Sequence, residues 1–323
     1  MILEINCKSP EELVNAIAKA VDTEVIDGTM QIPAIYGKGY IKGISILNGP
    51  TIMIRQYELL EELNIKTNAT GANGIVLTFH NIYQDQDTRK NHKLFRPFAQ
   101  IESAGIDYQE LFPSKTRFNT IIIMIDVEQL KALINPRGDR RIMHDILCND
   151  KPFIYEELIS PDMHGVANQI LSKVMPGHLQ DFFYRVKAEE LILLLFTELE
   201  RRDIRSQYAL NDEDIKKIYL IKDNIVEDLS INPSLVKLAS SYGMSESKIT
   251  RLFRQIFGNS IYSYYQSFRM DYAGYLIKEN NLSIAEIGYQ LGFSNLSHFA
   301  RLFERYNGLT PKKYAKFISI DTA

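Results

Sequence analysis

Only two cysteines, Cys7 and Cys148, occur in the 323 residues. Thiols this few and this far apart build neither a four-ligand structural zinc site nor a disulfide framework, and they suit a reduced compartment. The longest unbroken aliphatic or aromatic run, Leu191 to Phe196, falls far short of the roughly 20 apolar residues that a membrane-spanning helix requires. Glu4 comes too early for a basic and then apolar leader, so a cytoplasmic protein with no membrane partner is expected. No tract is rich in Pro or Gly. With 45% hydrophobic and 24% charged residues, the chain has the composition of a folded globular protein. At about 100 to 200 residues per domain its length suggests two or three domains.

Catalytic groupings are also missing. No Ser/His/Asp or Cys/His set with supporting motif context is present, so no enzyme and no required cofactor are expected. His80 and His92, with Asp85 and Asp87 between them, read as solvated loop residues rather than metal ligands. Gly71-Ala72-Asn73-Gly74 reads as a turn, because it lacks the strand, loop and lysine of a phosphate cradle.

Net charge is low, at -3, but it averages two unlike parts. From Leu229 to Ile320 there are 11 Lys/Arg against 5 Asp/Glu, giving +6, which leaves 26 against 35, or -9, for the rest. A basic part within an acidic chain hints at a nucleic-acid partner.

A short amphipathic helix is expected over Pro10 to Val21, and strands over most of Gly39 to Asp126. Ile44–Leu47 and Ile52–Ile54 flank Asn48-Gly49-Pro50, while Ile65–Thr67 and Ile75–Phe79 flank a turn ending in Asn73-Gly74. Both patterns are hairpin signals. Further strands are expected at Leu94 to Ile101 and Asn119 to Asp126, giving an antiparallel sandwich or barrel. From Val127 the pattern turns helical, in pieces broken by Pro136, Pro152, Pro161 and Pro176. The longest helix follows Pro176-Gly177. It carries Leu179, Phe182, Phe183 and Val186 on one face and then the apolar run, so it must be covered on more than one side, by the strand domain or by a second subunit. Asp203 to Asp214 reads as a linker.

The last third contains an internal repeat. Arg251-Leu252-Phe253 recurs as Arg301-Leu302-Phe303, Gly258 as Gly308, Ser260 as Thr310 and Tyr264 as Tyr314, all at a shift of 50. Two copies are too few for a solenoid and are read as one supersecondary unit used twice. In the first copy Leu235, Leu238 and Ala239 face inward, Gly243 makes a sharp turn and Ser245 caps a second helix. That helix has Ile249, Leu252, Phe253 and Ile256 on its core side and Ser247, Thr250, Arg251 and Arg254 opposite. The second copy uses Ile284, Ile287, Leu291 and Gly292, then Phe299, Leu302, Phe303 and Tyr306. It turns Ser297, Ala300, Arg301 and Glu304 outward, with His298 and Arg305 at the edges. Glu304 stands where the first copy has Arg254 and repels phosphate. Between the copies, Ser260 to Glu279 reads as a helix about 30 Å long, near the roughly 34 Å between successive major-groove faces of B-DNA. A helical protein-interaction module with only non-specific DNA affinity has the same patterning and stays open as the alternative.

At Ile284-Ala285-Glu286-Ile287-Gly288-Tyr289-Gln290-Leu291-Gly292-Phe293-Ser294-Asn295, then Ser297-His298-Phe299, Arg301-Leu302-Phe303, Gly308 and Thr310-Pro311-Lys312-Lys313-Tyr314, the chain resembles the AraC/XylS family of bacterial transcription regulators. The likeness covers roughly Ile215 to Phe317. It implies seven helices with two helix-turn-helix units, about 235–257 and 284–306. It also implies major-groove binding to double-stranded DNA and activation through RNA polymerase. Carried over residue by residue, the base and phosphate readers would be Ser247, Thr250 and Arg251, and then Asn295, Ser297, His298 and Arg301; the basic residues Lys248, Arg254 and Arg305 of the same two helices complete the expected DNA contacts. Ser247 departs from members with a large aromatic there, and its hydroxyl reaches less far. Ile32-Pro33-Ala34-Ile35-Tyr36-Gly37-Lys38-Gly39-Tyr40, with Leu111-Phe112-Pro113, resembles the PchR-like subgroup. That implies a cupin-like sensor and an iron-siderophore as small-molecule effector.

The expected architecture is therefore α+β. Residues 1–210 form a β-rich, cupin-like effector-binding and dimerisation domain with added helices, and residues 211–323 an all-α DNA-binding domain. The Leu179 to Glu200 helix is the candidate homodimer contact. A DNA-repair methyltransferase with a related regulator domain is excluded, because it depends on a four-cysteine zinc site.

Overall fold

The structure is a computed structural model that describes residues 2–5, 10–67, 74–82, 97–104, 108–112, 114–115, 117–134, 141–202, 208, 210–279 and 281–321. The chain divides into two compact units, one of Met1–Thr88 and Pro97–Asp212 and the other built on Glu213–Ala323.

The first unit runs β1 (Ile2–Ile5), α1 (Pro10–Ala20), β2 (Val25–Ile26), β3 (Thr29–Gln31), β4 (Gly37–Ser45), β5 (Thr51–Leu59), β6 (Leu63–Thr67), β7 (Gly74–His80), β8 (Phe98–Ser103), β9 (Tyr108–Phe112), β10 (Arg117–Asp126), α2 (Val127–Leu133), α3 (Arg141–Cys148), β11 (Ile154–Leu158), α4 (Pro161–Ser172) and α5 (Gly177–Glu200). Eight strands form one sheet in the order β11-β8-β7-β10-β5-β4-β3-β2, and every pairing in it is antiparallel. A second sheet, β1-β6-β9, pairs β1 parallel to β6.

Strand alternation sorts β5 between two cores. Ile52 and Ile54 join the buried cluster that includes Ile75, Leu77, Phe79, Ile121 and Ile123 and is covered by α2 to α5. Met53, Tyr57 and Leu59 point the other way and pack with Val14, Ile17 and Ala18 of α1. A strand with both faces apolar cannot show a polar/apolar period, so the sheet is covered on both sides.

The β4–β5 hairpin forms as expected, with Ser45 opposite Thr51. The expected hairpin of β6 with β7 does not. Strand β6 pairs with β1 and β9, whereas β7 lies between β10 and β8. Ile75, Leu77 and Phe79 are fully buried, and that burial takes β7 to the centre of the larger sheet. Sequence adjacency does not outweigh it. The strand expected from Leu94 begins at Phe98, and Leu94 lies outside the described residues, as do Cys7, Asp85, Asp87, His92, Pro113 and Gly71 to Asn73. Strand β11 sits in the stretch expected to be helical and completes the sheet edge against β8. Its five residues are too few to display a period. Helix α5 buries Tyr184, Ala188, Leu191, Ile192, Leu195, Phe196 and Leu199. Its expected inward residues Leu179, Phe182 and Val186 are 45%, 67% and 41% exposed, so the core takes the second half of the helix and leaves that stripe outside.

The second unit is all α: α6 (Asp212–Glu227), α7 (Leu235–Tyr242), α8 (Glu246–Phe257), α9 (Ile261–Glu279), α10 (Ile284–Gln290), α11 (Leu296–Asn307) and α12 (Pro311–Asp321). Helix α9 packs against α8, α10, α11 and α12 and is the scaffold of the unit. The fold is thus α+β, a largely antiparallel β-rich part followed by a helical part. Among the described residues, no helix is long and apolar enough to cross a membrane.

Candidate nucleic-acid interface

Helix α8 starts because the Ser245 side chain accepts from the Lys248 backbone N–H, and it ends because Gly258 takes the left-handed region at φ 69°. Helix α11 is bounded in the same way, by Asn295, which accepts from the N–H groups of Ser297 and His298, and by Gly308 at φ 75°. Side-chain caps of this kind stabilise a helix start by about 1 kcal/mol each.

Most positions of the sequence repeat do the same job twice. Phe253 meets Tyr264 edge-on at 5.4 Å and 86°, and Phe303 meets Tyr314 at 5.3 Å and 75°. The Ser260 carbonyl accepts from Tyr264 N at 2.9 Å, and the Thr310 carbonyl accepts from Tyr314 N at the same distance. Their hydroxyls cap α9 and α12 through Ser263 N and Lys313 N. Buried aromatic pairs of this geometry contribute about 0.5 to 1.5 kcal/mol beyond area burial. The shift of 50 is therefore a packing module, with Arg251 and Arg301 at equivalent exposed places.

Ile249, Leu252, Phe253 and Ile256 are all buried, and Ser247, Thr250, Arg251 and Arg254 are all exposed. In the second copy Phe299 and Phe303 are buried and Leu302 half-buried, while Asn295, Ser297, His298, Arg301, Glu304 and Arg305 are exposed. Tyr306, expected in the core, is 39% exposed and its hydroxyl donates to the Ser263 carbonyl. A tyrosine on the last turn of α11 keeps its polar end near water. Thr250 donates to the Glu246 carbonyl at 2.8 Å, and the His298 ring lies edge-on to Phe293 at 5.8 Å.

Lys248 points elsewhere. Its ammonium lies 2.7 Å from the Asp214 carboxylate of α6, which is almost wholly buried. One cation of the expected reading face is thereby tied to the first turn of α6.

The two turns differ in how tightly they are held. Gly243 has φ +61°, with open space where a Cβ would stand. Gly292 has φ +78°, and a Cβ there would lie 2.2 Å from the Ser230 carbonyl oxygen. The residue that locks the second turn is Arg269 of α9, which the sequence pattern did not single out. It is buried, donates through Nε to the Leu291 carbonyl at 2.8 Å and through Nη2 to the same oxygen, and stacks 3.6 Å over the Phe293 ring. Burial lowers its pKa from the ordinary guanidinium value, while Tyr265 and Tyr262 oppose the shift. One turn earlier, the Tyr265 hydroxyl donates to the Leu229 carbonyl at 2.8 Å. The signal for Arg269 was an arginine inside a helix otherwise rich in Tyr, and nothing local distinguishes it from a solvated residue. In the first unit His80 stacks on Phe98 at 4.3 Å.

These features define a double helix-turn-helix unit with two capped second helices, each exposing arginine and small polar residues. Residues 238–316 match the family model described as a helix-turn-helix domain. The HTH-type transcriptional activator RhaR of Cronobacter sakazakii is 29% identical over 133 residues, 41% of this chain and 47% of that protein. The Regulatory protein PchR of Pseudomonas aeruginosa is 34% identical over 110 residues, 33% of this chain and 37% of that protein. Among solved structures, the C-terminal domain of the response regulator yesN from Fusobacterium nucleatum is 28% identical, matches 30% of this chain and 95% of that one, and has a TM-score of 0.28. The chain spans less than half the length of these two curated relatives. Residues 238–316 are thus a helix-turn-helix domain.

Proposed function

We propose that the protein is a sequence-specific, double-stranded-DNA-binding transcription regulator that catalyses no reaction. The observation that carries this reading is the structural repeat, which presents Ser247, Thr250, Arg251 and Arg254 on α8 and Ser297, His298, Arg301 and Arg305 on α11. Arg bidentate to guanine and Ser, Thr or Asn to either base edge or to phosphate is the chemistry that major-groove reading requires. Asn295 keeps its amide donors for DNA while its carbonyl oxygen caps α11. Lys248 contributes charge only once it leaves Asp214. RNA polymerase is the expected partner of an activator, the cytoplasm the expected compartment, and a small-molecule effector the expected signal.

Homodimer formation belongs to the same reading. Leu179, Phe182, Val186 and Leu193 stand exposed along one stripe of α5, and Phe182→Glu is expected to halve the mass seen by light scattering if that stripe joins two copies. Leu194 is half-buried against the core and serves instead as a folding control.

The test of the whole reading is selection of genomic fragments by the purified protein at about 150 mM salt, which suppresses purely electrostatic binding. A single recovered motif with two half-elements about ten base pairs apart supports it. Binding without sequence preference makes the helical unit a protein-interaction module.

A further inference from the structure

The first unit contains a cavity of about 210 Å³ between α1 and the β3–β4–β5 face of the large sheet. Ile17 of α1 and Val21 just after it form one wall, and Met30, Ile41, Tyr57 and Leu59 form the sheet side. All six are at most 9% exposed. Ile32, Pro33, Ile35 and Tyr36, within the segment that resembles the PchR-like subgroup, border the cavity together with Glu61 and Glu62. Hydrogen bonds hold that border in place. The Pro33 carbonyl accepts from Tyr36 N at 2.9 Å and Gly37 N at 3.1 Å, the Tyr36 carbonyl from Leu60 N at 2.9 Å, and the Gly39 carbonyl from Ile32 N at 2.8 Å. The border also turns apolar surface to water, with Ile35 75% exposed. Protein interiors are close-packed, with few spaces larger than a water molecule, so an apolar cavity of this size offers a fitting apolar molecule contacts that the chain itself does not fill.

The charged groups at the cavity do not call for a charged ligand. Arg55, which shares a face of β5 with Met53 and Tyr57, is buried, donates through Nε to the Met53 sulfur at 3.2 Å, and is engaged further within the protein, as Glu62 is too. Glu61 is exposed, where water and salt screen its field. A carboxylate would meet two glutamates and an arginine that already has partners. An ammonium would leave water for apolar walls and gain only a screened carboxylate. Either ion loses hydration without an equal return, whereas an uncharged molecule leaves the existing interactions intact. We propose that this cavity binds an uncharged, mainly apolar molecule, such as an alkylbenzene, with its body among Ile17, Val21, Met30 and Ile41. A cavity of about 150 Å³ holds one benzene ring, so this one takes roughly eight to ten heavy atoms. Drug-sized ligands need roughly 300 Å³ or more, which excludes them and the larger iron–siderophore complexes. The proposal rests on reading the first unit as the sensor of a regulator, and it assigns the chemical class of the effector.

The full chain, without DNA, is dialysed to equilibrium in sealed cells against two pairs of near-equal shape, propylbenzene with 2-phenylethylamine and isobutylbenzene with phenylacetate. One molecule of either hydrocarbon is expected to bind per chain, at least about tenfold more tightly than its charged counterpart. Nuclear Overhauser contacts from the bound ring are expected to the Met30 and Ile41 methyl groups, which locates the site without any substitution. Val21→Phe from the helix side and Ile41→Phe from the sheet side fill the cavity, and each should weaken hydrocarbon binding by at least about tenfold. Tm measurements establish which variant is folded, and the ring contacts decide the matter if neither is. Tighter binding of either charged probe overturns the assignment. So does silence from all four probes, ring contacts only to methyl groups outside the cavity, or hydrocarbon binding that is unchanged in a folded variant. Because no DNA is present, failure here leaves the DNA selection as an independent test of the regulator reading.

Discussion

The two helix-turn-helix units share one aromatic core and differ in what surrounds it. Around α8 the turn is less crowded: Gly243 has open space where a Cβ would stand, the neighbouring Tyr242 hydroxyl donates to the Leu220 carbonyl of α6, and Lys248 pairs with Asp214 of the same helix. Around α11 the turn is fixed from three sides, by the Ser230 carbonyl against Gly292, by Arg269 on the Leu291 carbonyl and by the Phe293 ring beneath that guanidinium. The exposed charges run the other way. Helix α8 exposes Arg251 and Arg254, and α11 exposes Arg301 and Arg305 beside Glu304. The two copies share the packing that a helix-turn-helix needs and differ at the turn and on the outer face. On the proposed reading, the first helix-turn-helix contributes more of the DNA affinity and the second is the more rigidly placed.

The largest effect is expected where the turn is tightest. Gly292→Ala must move the Ser230 backbone and hold a left-handed φ, a loss of about 3 kcal/mol or more. Gly243→Ala meets only the φ penalty, about 1 kcal/mol. Urea denaturation followed by circular dichroism compares the two, and equal losses would break the contrast. Next is Arg269→Met, which leaves the Leu291 carbonyl without its charged donor and is expected to cost about 2 to 4 kcal/mol. Hydrogen exchange locates that loss, which belongs in α10 and α11 and not in α7 and α8.

On DNA the order reverses. Arg251→Ala is expected to weaken specific binding by about 1 to 3 kcal/mol if the arginine reads a base edge, and Arg301→Ala by less, because Glu304 already opposes phosphate there. A titration giving the reverse order contradicts the role given to Glu304. Smaller still is Asp214→Asn. If Lys248 then turns to a phosphate, the slope of log affinity against log salt steepens by about 0.9, and an unchanged slope keeps Lys248 out of the interface. The smallest difference concerns acid. Glu286 accepts from Ser283 in the capping box of α10, and those hydrogen bonds lower its pKa. A carboxylate depressed in the folded state stabilises above its unfolded pKa of about 4.3 and loses that contribution as pH falls through the folded value. Helix α7, capped by Ser234 alone with Lys237 at the third position, has no such group, so amide exchange in α10 should rise more than in α7 between about pH 6 and pH 3.

Much of the second unit was legible in the sequence because its signals are local. Apolar residues at helical spacing, Gly243, Ser245 and Ser260 each act within one turn of themselves, and the repeat doubles the signal. What escaped was long-range. Arg269 reaches a carbonyl 22 residues away, Lys248 pairs with Asp214 on another helix, and neither separation leaves a trace in a local period. The first unit was less legible for the same reason. Strand β7 pairs by burial rather than adjacency, β11 is too short to show a pattern, and the cavity joins α1 to β5 across some 40 residues of chain. The segment from Ile32 to Tyr40 stood out by resemblance, and only its place beside the cavity gave it a physical role.

The most direct test is to repeat the fragment selection with Arg251→Ala and with Arg301→Ala and to compare the recovered motifs. If each second helix reads its own half-element, Arg251→Ala relaxes one half, Arg301→Ala relaxes the other, and the spacing of about ten base pairs is kept. If both variants relax the same half, or neither changes the motif, the two units do not read DNA side by side and the central claim fails.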